Sequence, residues 1–357
     1  MSIANDPSFL DSDLRKVLEG LPFGYVDVGA RGGAQTHCDP VAEWTSVMLF
    51  EPDVSCIEDI KASLGRRWKQ TAVEPVGLGA RSGPATLHLC AHGVNHSLFT
   101  VNPAFRDRYG VKSLADAGTA PIELATLDEV LFERHAEDSQ WGEFLKLDAQ
   151  GAEIDILEGA ARTLTERTVV VLAEFSFIEI YRDQPCFSEL ERFLAERGFT
   201  FYGFHSIQGW SRKFLDKRAA LGRERLCFGD AVFFRDPLPS SARTQALTLR
   251  QWQALYLAAL LLEFHDFAIE VATEAPFPVD EADRLIALAQ SQARHTPEEA
   301  VADVEALLAR MKASPAEAGL ELCRFIDTHR SLFDVADAAL PRSEPVPRGR
   351  RKTATTQ

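Results

Sequence analysis

The chain has 357 residues, of which 46% are hydrophobic and 25% charged, and its formal net charge is −15. That composition is ordinary for a globular protein, and the length accommodates one large core plus a smaller domain. The acidic balance argues against a general nucleic-acid partner, because phosphate binding needs a basic surface. The six cysteines, Cys38, Cys56, Cys90, Cys186, Cys227 and Cys323, are scattered without a Cys-x-x-Cys pair. Neither a zinc site, nor another metal site, nor a disulfide framework is expected, and a reducing compartment fits best. Residues 1–21 lack the basic and apolar regions of a signal peptide. The longest apolar run, residues 254–262, is too short to span a bilayer. A soluble, cytoplasmic protein is expected.

In chain order, residues 11–19 read as a short helix with Leu14, Val17 and Leu18 on one face and Gly20 as its stop. Residues 1–23 are thus a helical lead-in. Residues 24–28 form the first strand, which runs through Asp27 into a turn containing Gly29, Gly32 and Gly33. Glycines let the backbone approach a ligand closely and adopt positive φ. An acid beside them suits a ligand with hydroxyls or positive charge better than bare phosphate. Residues 47–50 are the second strand, at the spacing of one βαβ unit, and run into Glu51. An acid at that tip can hydrogen-bond a ribose diol. The two tips describe a nucleoside pocket without a pyrophosphate cradle. Arg31 occupies the place where a dinucleotide fold needs its second glycine, which weighs against NAD.

A helix follows over residues 53–64, with Val54, Ile57 and Ile60 inward and Gly65 at its end. Residues 72–78 read as the third strand and 85–90 as an added one. Residues 91–120 have weak periodicity and read as a long loop with a helical turn, and loops of that length usually carry function. Thr126 and Glu129 form a capping box that opens a helix to about His135. Residues 144–148 are the fourth strand, ending in Asp148, and residues 153–164 are a helix with Ile154, Leu157, Ala161 and Leu164 on one face. Glu153 complements that helix's N-terminal dipole. Residues 169–175 are apolar enough for a central strand covered on both faces. Ser188 and Glu191 read as a further capping box, with Gly198 as the helix stop. Residues 199–205 and 226–234 are the last strands, and with no long helix between them antiparallel pairing is expected. The alternation of strands and helices implies a doubly wound α/β sheet.

After the Pro- and Ser-rich residues 237–241 every signal is helical. Trp252, Tyr256, Leu260, Phe264 and Phe267 form one stripe, read as core packing and not as an acceptor platform. Thr296–Glu299 and Ser314–Glu317 are two capping boxes with proline at the first helical position. Their helices carry Val301, Val304, Leu308 and Met311, then Leu322, Phe325 and Ile326. Residues 247–340 are therefore expected to form an all-α domain. Apolar faces that large are unusual on a monomer, so it should pack on the core, on itself, or on a second subunit in a homodimer. Residues 341–357 are polar and basic, with Arg348, Arg350, Arg351 and Lys352, and are expected to be disordered.

Several runs in this order resemble the FkbM family of S-adenosylmethionine-dependent methyltransferases. They are YVDVGARGG (25–33), LFEPD (49–53), PVGLGARSG (75–83), NHSLF (95–99), ATLDEV (125–130) and FLKLDAQGAEIDILEGA (144–160). Several weak motifs in the right order are stronger than any one alone. The resemblance implies a Rossmann-like, seven-stranded methyltransferase sheet over residues 24–236, and S-adenosyl-L-methionine as cofactor. It implies that Asp27, Gly29 and Gly33 belong to the first cofactor motif, with Asp27 near the methionine part or ordering its loop. Glu51 would bind the ribose hydroxyls, Gly77 and Leu78 would lie near the adenine, and Asp148 close to the sulfonium and the acceptor. Where the family often has a valine–glutamate pair this chain has Ala149-Gln150, and the usual serine pair is His96-Ser97. The segment after residue 240 lies outside the resemblance.

Methyl transfer needs alignment and exclusion of water more than covalent help. An alcohol acceptor must also lose its proton; Asp148 and His96 are the candidate bases and His205 is a third. The expected activity is O-methylation of a sugar, polysaccharide or secondary metabolite. The rival readings are an NAD oxidoreductase, and a non-catalytic cofactor-binding or interaction protein that works through its helical segment.

Overall fold

The computed structural model describes residues 2–136, 141–215, 223–238, 246–294 and 296–329. Four mostly buried, apolar runs and one partly exposed edge run build its parallel strands: β1 (Phe23–Val28), β2 (Thr45–Phe50), β7 (Phe144–Leu147) and β8 (Val170–Ser176), with β3 (Gln70–Glu74) at the edge. With β9 (Thr200–Trp210) and β10 (Arg225–Phe234) they form a seven-stranded sheet in the order β3-β2-β1-β7-β8-β10-β9. β10 is antiparallel to both its neighbours, as the missing crossover helix requires. The parallel strands and the intervening helices give the doubly wound, Rossmann-like sheet that was expected. Alternate residues serve two apolar layers. Tyr25, Leu49, Phe144, Leu172 and Val232 face one side, and Val26, Met48, Leu145, Val171 and Phe233 the other.

A smaller sheet, ordered β4-β6-β5, lies beside the strand tips and consists of β4 (Gly77–Leu78), β5 (Gly83–Cys90) and β6 (Asp116–Ala125). Two expectations are corrected here. The strand expected over 72–78 is split, because Pro75 has no N–H to continue the ladder; β3 ends at Glu74 and β4 pairs with β6 instead. The loop expected over 91–120 holds the helix Pro103–Tyr109 and the first half of β6. Asp116–Thr119 are exposed on both faces, so no apolar alternation marks them as a strand.

Other differences are local. The helix expected over 153–164 is two helices, Glu153–Glu158 and Ala161–Glu166. Gly159 separates them: a Cβ there would lie 2.2 Å from the Gly79 carbonyl oxygen. The carboxylate of Asp128 accepts from the Arg162 and Thr163 amides, each at 2.8 Å, and so caps the second helix from another segment. The helix opened by Thr126 runs from Leu127 to Glu129 and widens into a π turn over Val130–Arg134. The box read at Ser188 lies at Cys186 and Glu189 instead. Ser314 gives no side-chain cap, and Pro315–Glu317 is a 3-10 turn before the helix Ala318–His329.

The helices Leu249–Leu261, His265–Glu274 and Val279–Gln292 pack onto the first apolar layer and share its core with the strands. Phe234, Phe264 and Phe267 close against Tyr202 of β9. Arg250 reaches the buried Glu143 at 2.6 and 2.7 Å. Buried Glu281 accepts from the Asp13 and Leu14 amides at 2.9 Å, which ties these helices to Asp13–Gly20. The helix Pro297–Ala313 behaves differently. It packs against Ala318–His329 and buries Leu307, while Val301, Val304, Leu308 and Ile326 are exposed. Its expected apolar stripe thus points outward. The tail expected to be disordered lies outside the described residues. No described helix is long and apolar enough to cross a membrane.

Candidate active site

The turn after β1 sets the floor. Gly29 has φ of 82°, and a Cβ there would lie 1.9 Å from the Asp148 carbonyl oxygen, so the tips of β1 and β7 touch through it. Asp27 is fully buried beneath them. Its Oδ2 accepts from the Gln35 amide at 2.8 Å and from Tyr25 Oη at 3.2 Å, and its Oδ1 lies 3.2 Å from Lys146 Nζ. Burial raises the Asp27 pKa and the Lys146 charge opposes it. Gly33, at φ of 90°, packs against Ser63. Asp27 and Gly33 therefore order the loop and stand off the cavity described next.

A cavity of about 260 Å³ opens at the strand tips, and Gly29, Glu51, Gly77, Leu78, His96 and Asp148 all line it. Leu87, Ile122 and Leu124 of the smaller sheet add an apolar wall. Glu51 is 5% exposed, and its Oε1 accepts from the Asp53 amide at 2.9 Å. No hydrogen bond among the described residues uses its second oxygen. Burial raises the Glu51 carboxyl pKa, against the Asp53 amide and the Arg31 charge. Arg31 lines the same cavity and pairs with Asp53 at 2.8 Å. Its guanidinium lies so close to Gly93 that a Cβ there would come within 2.4 Å.

Across the cavity, Asp148 follows β7. Its Oδ1 accepts from Gln150 Nε2 at 2.9 Å, and its Oδ2 lies 3.6 Å from Lys146 Nζ. Lys146 is nearly inaccessible; burial works against its charge, but Asp27 and Asp148 more than offset it and raise its pKa. Gln150 has φ of 52° and Gly151 φ of 103°. The first is a conformation that costs a non-glycine residue about 1–3 kcal/mol. Glu153 holds this turn: its Oε1 accepts from the Ala149 amide at 2.8 Å and the Gly151 amide at 3.3 Å. Burial pushes the Glu153 carboxyl up to about 7. Gln150 Nε2 also donates to Glu174 Oε2 at 2.9 Å. Burial and the Asp148 charge push the Glu174 carboxyl well above the usual range.

The histidines take different parts. His96 Nδ1 accepts from the Cys90 amide at 3.1 Å, so the proton of its neutral ring sits on Nε2. Burial and then Arg31 lower its pKa. In this arrangement His96 is a donor toward the cavity, and a base role would require breaking the Cys90 bond. His205 lies away from the cavity on β9, with its ring 5.1 Å from that of His37. Burial, His205 and Lys146 lower His37 to about 4, so it is neutral.

With this geometry in hand, residues 27–201 match the model of the methyltransferase FkbM domain. That segment belongs to the FkbM methyltransferase family. A solved structure, methyltransferase FkbM from Methylobacillus flagellatus KT, aligns at 14% identity with a TM-score of 0.34. It covers 60% of this chain, and the chain spans 43% of that protein. No curated protein matches the chain. The strand order, and not this distant likeness, carries the fold. Within the FkbM domain, sequence reasoning missed Lys146, Glu174 and Tyr181. Lys146 and Glu174 each left a signal, an ionisable residue inside an otherwise apolar strand, but Asp27 meets Lys146 only when β1 lies beside β7, and Gln150 meets Glu174 only when β7 lies beside β8.

Proposed function

We propose that the chain is an S-adenosylmethionine-dependent methyltransferase acting on a hydroxyl of a small-molecule or glycan acceptor, such as a sugar, polysaccharide or secondary metabolite. One observation carries the reading: Glu51, Gly77-Leu78 and Asp148 line one cavity at the carboxyl ends of the parallel strands, where open α/β sheets bind ligands. The residues present fit the cofactor. A half-used carboxylate at the second tip suits a ribose diol, the wall of Leu78, Leu87, Ile122 and Leu124 suits a flat base, and Asp148 suits a sulfonium. The bound cofactor supplies an already reactive methyl group. Glu51 anchors one end of the ligand, the glycine turn permits close approach, and the apolar wall excludes water. Asp148 stabilises positive charge and receives the acceptor's proton.

Residues 24–236 would be the catalytic unit, with the helices after 247 supporting it. The six free cysteines suit the cytoplasm, and the net charge of −15 disfavours nucleic acid as acceptor. Calorimetric titration with S-adenosylhomocysteine tests the proposal, with saturable micromolar binding expected. No binding, or saturable binding of NADH in its place, would sink it.

A further inference from the structure

We propose that Gln150 is a positioning residue that yokes Asp148 to Glu174, so that the two carboxyls share one proton and together accept the proton of the methyl acceptor. This rests on the methyltransferase reading above. The amide of Gln150 spans both acids, with Nε2 2.9 Å from Asp148 Oδ1 and 2.9 Å from Glu174 Oε2. The rest of the residue is fixed as well. Its Oε1 accepts from Tyr181 Oη at 2.8 Å, and its carbonyl accepts from Ser97 Oγ at 2.7 Å. A backbone φ of 52° is uncommon outside Gly, Asn and Asp. Glycine would hold this φ without strain, so what glutamine adds at the position is its side chain.

Two acids drawn onto one donor cannot both ionise without strong repulsion. The shared proton rests on the Glu174 side, because the Lys146 ammonium stands beside Asp148 at 3.6 Å. The other groups facing the pair are Asp230 from β10, Glu153 from the following helix, Tyr181, and Asp27 behind Lys146. Asp230 and Glu153 push Glu174 in the same direction.

Position makes the pair useful. Asp148 and Gln150 line the cofactor cavity, and Glu174 lies one strand outward, partly exposed and opposite Asp230. The pair thus stands between the cavity and the outer strands of the sheet. In the transfer, the acceptor's O–H bond breaks as its oxygen bonds the methyl carbon. The electrons of the carbon–sulfur bond stay on sulfur, and the proton goes to Asp148. Glu174 releases its proton to solvent, so the pair is left with one proton.

The test is a pH titration of the full-length protein carrying 13C-carboxyl aspartate and glutamate, followed by NMR. In the wild type the Glu174 resonance should titrate well above the usual carboxylate range. Gln150→Gly keeps a backbone suited to positive φ and removes the amide, and Asp148→Asn keeps the shape and removes the partner acid. Each should lower the pH at which Glu174 titrates, with thermal unfolding confirming the fold. A Glu174 titration in the ordinary range in the wild type, or one unchanged in Gln150→Gly, overturns the proposal. S-adenosylhomocysteine titration of the same wild-type sample separates the two failures: absent binding removes the methyltransferase reading, whereas intact binding with independent carboxyls removes only the yoke.

Discussion

Glu153 occupies the place of a helix-opening acid, yet its carboxyl serves the turn before the helix through the Ala149 and Gly151 amides. One oxygen accepts both bonds, so the other can carry a proton without losing either. Its pKa is raised from 4.5 to about 7, so the folded state holds a proton that the unfolded chain has released between those limits. This group therefore contributes stability that is full below the unfolded value and is lost as pH rises through about 7. Glu153→Gln should match the wild type near pH 5 and exceed it by ~1–3 kcal/mol at pH 8, as read by urea unfolding at both pH values. Equal stabilities at the higher pH would remove the neutral carboxyl. Glu51→Ala should weaken S-adenosylhomocysteine binding by ~1.5–3 kcal/mol, the range for hydrogen bonds to a charged group. Wild-type affinity in calorimetry would take Glu51 out of the ribose site. Asp148→Asn should lower turnover ~10²–10⁴-fold with a smaller effect on affinity, because proton acceptance matters only as the acceptor reacts. Gly29, Glu51 and Asp148 were legible because each closes an apolar run. Gln150 stood out only as a departure from the family pattern, since its partners are separated from one another in sequence.

Among the elements, the parallel strands β1, β2, β7 and β8 were the most legible, because burial on both faces leaves continuous apolar runs; the edge strand β3, partly exposed, was misplaced. The smaller sheet was not: β6 begins in exposed residues, and β4 consists of Gly77 and Leu78. The break at Gly159 was also hidden, since the apolar spacing of Ile154, Leu157, Ala161 and Leu164 runs straight through it. What requires glycine at the break is the backbone of another segment, 2.2 Å from a Cβ at residue 159. Gly159→Ala must push the Gly79 strand tip away, and a loss of ~1–3 kcal/mol is expected, the usual range for overpacking. Since Gly77 and Leu78 line the cavity next to that contact, weaker S-adenosylhomocysteine binding should accompany it. Unchanged stability and affinity would show that the junction yields freely.

At the scale of the whole molecule, the helical segment read as a separate unit divides in two. Residues 249–292 complete the sheet's first apolar layer, whereas the helix Pro297–Ala313 exposes Val301, Val304 and Leu308. Truncation after residue 238 should bare Tyr202 and Phe234 and cause aggregation. Truncation after residue 294 should leave S-adenosylhomocysteine binding intact. Sedimentation velocity and calorimetry on both fragments check this, and the full chain in the same cell shows whether a second copy covers the exposed helix face. A monodisperse, ligand-binding 1–238 fragment would mean that the covering helices are dispensable. Amphipathic spacing alone could not separate these cases, because an apolar stripe looks the same whether it faces a core or solvent.

The bond between Glu281 and the amides of Asp13 and Leu14 imposes an order in time. During synthesis the helix Asp13–Gly20 emerges long before the residue that receives its first amides. At ~5–20 residues per second the wait is on the order of tens of seconds. Over that interval Leu14 and Leu18 have only early neighbours to shelter them. The 3-10 segment Thr36–Trp44 is one such neighbour, with the Trp44 ring 5.1 Å from Phe9. β1 waits as well, since it pairs β7 on one side and cannot become an interior strand until that segment is made. Any half-sheet formed on the nascent chain therefore has one greasy face uncovered, and its closure must wait for the last-made helices.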